Sequence, residues 1–115
     1  MYKNSCLLYL QEEESVLRVT LGGEIDHHNA VSVRSEIDEK ILLLRPRKII
    51  LDLSEIDFMD SSGIGLIMGR YTKMRAIGGE LCVLDPNERI LKIFKMAGLE
   101  KIVSIEYSEN KEEEK

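Results

Sequence analysis

Three times along this chain a stripe of apolar residues at helical spacing is followed, within a few residues, by a short apolar run of strand character. A strand reached through a helix pairs in parallel through a right-handed crossover, so this pattern restricts the chain to an α/β sheet. The first stripe is Ala30, Val33, Ile37, Ile41 and Leu44, one face of an amphipathic helix. Asp26 stands just before it, where a carboxylate accepts backbone N–H bonds, and Pro46 lies two residues beyond it and cannot continue it. KIILDL at residues 48–53 is nearly continuous apolar residue with β-branched content; it predicts a strand at the sheet centre, covered on both sides or nearly so. The second stripe, Ile64, Ile67, Met68, Tyr71, Met74 and Ile77, ends at Gly78 and Gly79, and residues 81–84 follow as a strand. Asp85, Pro86, Asn87 and Glu88 then read as an acidic N-cap, a proline at the first helical position and a Glu at the third. Ile90, Leu91, Ile93, Phe94 and Met96 form the third stripe, Gly98 closes it, and residues 102–107 are the last short strand.

Upstream, residues 6–10 and 16–21 are apolar or alternating runs joined by Gln11, Glu12, Glu13, Glu14 and Ser15, which predicts an antiparallel hairpin with a polar turn. The order is β-β-α-β-α-β-α-β. The fold class is α/β: a small mixed sheet, its first hairpin antiparallel and its later strands parallel, with helices packed on it. A chain of 115 residues buries roughly two-thirds of its unfolded surface, enough for one core. One domain is therefore expected over residues 1–107, with residues 108–115, SENKEEEK, too polar to pack and expected to be a disordered acidic tail.

Sixteen Lys and Arg against twenty-one Asp and Glu give a net charge of −5 without basic clusters, which argues against nucleic-acid binding. No apolar run approaches the ~20 residues that span a bilayer, and the N-terminal stretch meets acid before a signal-peptide core forms. A cytoplasmic protein that avoids membranes is expected. Cys6 and Cys82 lie in apolar strand-like runs without CxxC or zinc spacing, and read as small buried hydrophobes. No metal and no cofactor are expected.

The segment that stands out is Phe58-Met59-Asp60-Ser61-Ser62-Gly63-Ile64-Gly65, between the central strand and the second helix. The carboxyl end of such a strand, feeding a helix N-terminus, is where open α/β sheets display ligands and reactive groups. Asp, Ser and Gly also suit a helix start on their own account, as a plain cap. A hydrolase elbow needs Gly two residues before and after the nucleophile, and neither Ser61 nor Ser62 has that frame. His27 and His28 are adjacent, so they point to different faces, and nothing in the sequence brings either to Ser61. A phosphate-cradling loop would need a third Gly or a Lys-Ser/Thr pair, and Leu66, Ile67 and Met68 stand there instead. What remains is a hydroxyl that another protein modifies: a phosphate at a helix N-terminus is tolerated by the fold and noticed by a docked partner. Helix counting alone favours Ser62, which lies nearly opposite the apolar stripe.

FMDSSGIGLIMGRYTKM, with GEIDHH upstream and MAGLEKIV downstream, closely resembles the STAS domain of anti-sigma factor antagonists. The Gly69-Arg70-Tyr71 continuation is most similar to the sporulation branch, with the stress-response branch as the alternative. The resemblance implies a protein that is not an enzyme and that regulates transcription by partner switching. The unphosphorylated form would bind an anti-sigma factor that is also a serine kinase, with its nucleotide, and so free the sigma factor. Phosphorylation on Ser61 would abolish that binding, and a serine phosphatase would restore it. The resemblance also implies Glu24, Asp26, Asp60, Ser61, Ser62, Gly63 and Gly65 as partner-binding residues, with Asp26 and Asp60 the acidic neighbours of the acceptor, on a monomer. A ligand-sensing STAS module without phosphotransfer is the rival; a transporter's regulatory domain would need a membrane part. Arg70, Tyr71 and Lys73 are candidates for the partner surface, although Tyr71 also falls on the apolar stripe.

Overall fold

The structure, a computed structural model, describes residues 2–3 and 6–108. The predicted tail therefore lies outside the described residues except for Ser108. The chain runs β1 (Tyr2–Lys3), β2 (Cys6–Glu13), β3 (Val16–Ile25), α1 (Ala30–Leu44), β4 (Lys48–Met59), α2 (Ser61–Ala76), β5 (Glu80–Leu84), α3 (Glu88–Ala97), a 3-10 turn (Leu99–Lys101) and β6 (Ser104–Glu106). The six strands lie side by side in sequence order. β1, β2 and β3 pair antiparallel, and β3, β4, β5 and β6 pair in parallel. The α/β expectation holds, with the two-residue β1 added at the edge.

Register explains which face is buried. Leu17, Ile49 and Leu81 align across β3, β4 and β5, as do Val19, Leu51 and Val83. These residues form one core with Val33, Ile37 and Ile41 of α1, Leu66, Ile67 and Met74 of α2, and Ile90 and Phe94 of α3. Each crossover steps the same way across the sheet, so right-handedness puts all three helices on that face. The intervening residues Arg18, Ile50 and Cys82 are paired in the next row and belong to the opposite face. The central strand is thus covered by helices on one side only, and Ile50 stays half-buried. This corrects the two-sided expectation for residues 48–53.

The exception inside that apolar run is Asp52, which is also on the helix-free face. Its Oδ2 pairs with Arg18 Nη2 at 2.7 Å, and its Oδ1 accepts from the Ser54 N–H at 3.0 Å and the Ser54 hydroxyl at 2.8 Å. Burial pushes the Asp52 carboxyl up, but the two Ser54 bonds and Arg18 outweigh it and hold the group below its ordinary 3.8. A depressed carboxylate stabilises the fold above its unfolded value and loses that contribution as pH falls through the folded value. Asp52→Asn should therefore be less stable than the parent at pH 7, and the difference should shrink as pH is lowered below 3.8. Urea unfolding at pH 7 and pH 3 measures it.

Other local expectations change for identifiable reasons. The five-residue polar turn is a two-residue hairpin: Glu13 pairs with Val16, and Glu14 and Ser15 have φ of 54° and 68°, the left-handed pair that matches strand twist. Asp26 accepts backbone N–H bonds ahead of α1 as expected, from residues 28 and 29, while Asn29 occupies the N-cap position without a side-chain bond to the helix; the third helix is capped at Asn87, whose side chain accepts from Ile90 N. Asp85 is not the cap. It adopts φ 56° and its carboxylate accepts from Ser108 N at 2.9 Å. Gly98 ends α3 at φ 75° as expected. Met96, placed on the third stripe, is 88% exposed, and Leu44 at the end of the first is 37% exposed. The last strand is trimmed to Ser104–Glu106 because residues 99–101 form the 3-10 turn. Burial pushes the Cys6 thiol up to about 11 and raises that of Cys82, which leaves both as unreactive buried thiols. No helix among the described residues is long and apolar enough to cross a membrane.

Arg70 does not belong to an exposed surface. It is 3% exposed, its Nε sits 2.9 Å from Asp38 Oδ1 of α1, and its Nη1 donates to Leu66 O at 3.4 Å. The pair ties α1 to α2. Tyr71 packs half-buried against the core, with its hydroxyl accepting from Arg75 Nη1 at 2.9 Å, whereas Lys73 is exposed.

Candidate functional site

β3 and β4 end level with each other. Ile25 pairs with Met59, and the Asp60 N–H donates to Ile25 O at 3.1 Å. The residues that follow the two strands, Asp26 and Asp60, are thereby held side by side at one pole of the sheet. Asp60 caps α2 from an extended backbone, its Oδ1 accepting from Ser62 N at 2.8 Å and its carbonyl from Gly63 N at 2.9 Å. A capping carboxylate satisfies N–H groups that would otherwise lack partners in the first helical turn and complements the positive end of the dipole.

The two serines look in different directions. Ser61 is exposed and lines a mostly apolar groove of about 470 Å³ with Ile64, Ile93, Met96 and Ala97. Ser62 is half-buried and lines a separate cleft between α1 and α2 with His27, Val31, Arg34 and Gly65. Helix counting favoured Ser62. The first turn does not obey it: Ser62, whose backbone N–H bonds the Asp60 cap, is the more buried of the two, and Ser61 is the exposed one.

Gly63 and Gly65 have different reasons to be glycine. A Cβ on Gly63 would overlap the Met59 side chain, whereas one on Gly65 would meet nothing within 4 Å. Gly63→Ala should lower stability by up to about 2 kcal/mol, overpacking of about 1 to 3 set against the ~1 kcal/mol helix gain. Gly65→Ala should be neutral or up to about 1 kcal/mol stabilising. Thermal melts of the two variants distinguish these signs. Packing therefore favours glycine at residue 63 and places no such demand on residue 65.

Glu24 stands apart from the cluster. It pairs with Phe58, one position before the buried Ile25 and Met59 pair, so its exposed side chain alternates to the other face of the sheet. Only its backbone enters the site, through Asn29. This residue was not singled out in the sequence. Asn29 is fully buried, its Nδ2 donates to Glu24 O at 2.9 Å, and its Oδ1 accepts from Asp26 N at 3.1 Å. Asp26 answers with Oδ1, which accepts from His28 N at 2.9 Å and Asn29 N at 3.2 Å. An Asp-x-x-Asn spacing at a strand end is a legible turn signal. Its burial is not. His28 belongs to this turn, with Nδ1 3.8 Å from Asp26 Oδ1, and His27 lines the Ser62 cleft.

Comparison with known proteins sets this geometry in context. The STAS domain matches residues 8–112. An anti-sigma F factor antagonist of Paenibacillus polymyxa is 42% identical over 96 residues, 84% of this chain and 82% of its own. An anti-sigma-B factor antagonist of Bacillus subtilis is 29% identical over 98 residues, 84% of this chain and 86% of its own. Among solved structures, the anti-sigma factor antagonist SpoIIAA in its unphosphorylated form superposes with a TM-score of 0.80 at 29% identity, covering 91% of each chain. The Bacillus cell fate determinant SpoIIAA in the phosphorylated form does so with a TM-score of 0.72 at 28% identity, over 94% of this chain and 97% of that one.

Proposed function

Since this chain belongs to the STAS domain family, we propose that it is an anti-sigma factor antagonist of the sporulation type that works by partner switching. Unphosphorylated, it binds an anti-sigma factor and so releases a sigma factor. The sporulation branch is favoured by 42% identity to an anti-sigma F factor antagonist, against 29% to an anti-sigma-B factor antagonist. The anti-sigma factor doubles as a serine kinase that modifies Ser61, and a serine phosphatase resets the cycle. The chain itself carries no catalysis, works in the cytoplasm and acts as a monomer.

The observation that carries this reading is the exposed Ser61 hydroxyl, first in α2, beside the Asp60 cap and the Asp26 turn. An incoming phosphoryl group needs access and a backbone that tolerates new negative charge, and an uncrowded helix N-terminus supplies both. Asp26, Asp60, Ser62 and Gly65 form the surface around the acceptor that a kinase must cover, with the buried Gly63 beneath it, and Glu24 contributes through its carbonyl. Incubation with ATP and the anti-sigma F factor that pairs with the Paenibacillus polymyxa relative should add one phosphate to the chain. Peptide mapping should place it on Ser61, and Ser61→Ala should abolish it while still binding the anti-sigma factor. Phosphate on Ser62, or none on either serine, would overturn the assignment.

A further inference from the structure

Asn29 stands at the N-cap of α1 yet makes no side-chain cap bond to the helix. An Asn at this position ordinarily contributes about 1 kcal/mol by bonding the N–H groups of the first turn. Here its amide instead turns back to the end of β3, donating to Glu24 O at 2.9 Å and accepting from Asp26 N at 3.1 Å. The two bonds clamp the peptides on either side of Ile25, and Ile25 O is the acceptor for Asp60 N at 3.1 Å. One fully buried side chain therefore sets both the Asp26 turn and the strand end on which the start of α2 rests. Asp26 keeps a quarter of its side chain in solvent, at the strand end that adjoins Asp60, the residue before Ser61.

We infer that Asn29 is a positioning residue for phosphoryl transfer to Ser61, acting through the Asp26 carboxylate. This rests on the assignment of Ser61 as the acceptor. In that reaction the Ser61 Oγ–P bond forms as the bond from the γ-phosphorus of ATP to the leaving oxygen breaks; ADP departs with the bonding pair and the hydroxyl proton passes to a general base on the kinase. Transfer of this kind depends on alignment, and a misplacement of about 1 Å can cost about a hundredfold. Asn29→Ala leaves the Asp26 Oδ1 bonds to the backbone N–H groups of residues 28 and 29 in place but removes both bonds that anchor this turn to the end of β3, so the turn and the carboxylate it carries lose their fixed place against the strand while Asp60 still caps α2.

The test is a double-mutant cycle on the full chain, phosphorylated by the anti-sigma F factor named above with labelled ATP. Asn29→Ala should lower kcat for the antagonist at least tenfold with KM within about twofold. In an Asp26→Asn background the same substitution should change kcat by less than about twofold, because the charge it positions is already gone. A merely structural role would lower the rate by the same factor in both backgrounds, and that outcome overturns the inference, as does an unchanged rate in Asn29→Ala alone. If Asn29→Ala does not fold, Asn29→Leu carries the cycle: it fills nearly the same buried space and makes neither the bond from Asp26 N nor the bond to Glu24 O. Phosphate that never appears on Ser61 of the parent chain overturns the functional reading, and this inference with it; a parent modified on Ser61 with an additive cycle overturns the inference alone.

Discussion

The phosphorylated chain should bind its anti-sigma factor at least a hundredfold more weakly than the unphosphorylated chain, with a melting temperature that changes by only a few degrees. A phosphate adds nearly two negative charges at Ser61, on a pole that already carries Asp26 and Asp60. Across a tight interface, two unit charges about 6 Å apart at an effective dielectric of about 20 repel by roughly 3 kcal/mol. At 1.4 kcal/mol per tenfold, that is two decades of affinity. Within the protein, repulsion from Asp60 is offset by the α2 N-terminus, about 0.3 to 1 kcal/mol and up to about 2. The interface term wins, so the switch is local. Calorimetry of both forms checks the affinity. Amide shifts should change around Asp26 and residues 60–65 while β4 up to Leu53 and α3 stay put; shifts spread through those elements would point to a rearranged domain. Ser61→Asp, with one charge and two oxygens in place of nearly two charges and three, should reproduce only part of the loss.

Asp38→Ala should lower stability by about 3 kcal/mol, which for a domain of this size lowers the melting temperature by about 10 °C. The substitution leaves the Arg70 guanidinium buried between α1 and α2 without its carboxylate. Loss of one partner of a buried pair costs about 3 to 5 kcal/mol, and the 29% exposure of the Asp38 side chain sets the lower end. Burial already draws the Arg70 guanidinium below its ordinary value, the Asp38 carboxylate opposing that shift and Arg34 adding to it. Replacing both residues, as Asp38→Leu with Arg70→Met, should restore most of the stability, because the cost lies in the uncompensated charge. Thermal unfolding of the three variants decides it; a double variant as unstable as Asp38→Ala would mean that packing around Arg70, not charge, sets the cost.

The Arg70 result also marks where pattern reading stops. A charged residue in Gly-Arg-Tyr on a helix reads as surface, and only the partner on another helix, thirty-two positions upstream, makes its burial affordable. Met96 errs the other way: its spacing is that of a core residue, but α3 ends beside the Ser61 groove and, among the described residues, Met96 stays 88% exposed there.

The sequence alone determined the element order, because apolar period is a local property: a helix must bury one stripe and a strand one face, whatever else surrounds them. It also determined the pole at which the candidate site lies, since a strand of KIILDL character followed by Asp-Ser-Ser-Gly places hydroxyls at a helix start. Tertiary structure decided the rest. Which serine faces solvent depends on what packs around the first turn of α2, whether Ile50 is covered depends on all three helices sharing one face, and whether Asn29 caps a helix or clamps a strand end depends on the neighbouring peptides it can reach. These are competitions among hydrogen-bond partners and packing surfaces brought together from distant parts of the chain, and local spacing carries no record of who wins.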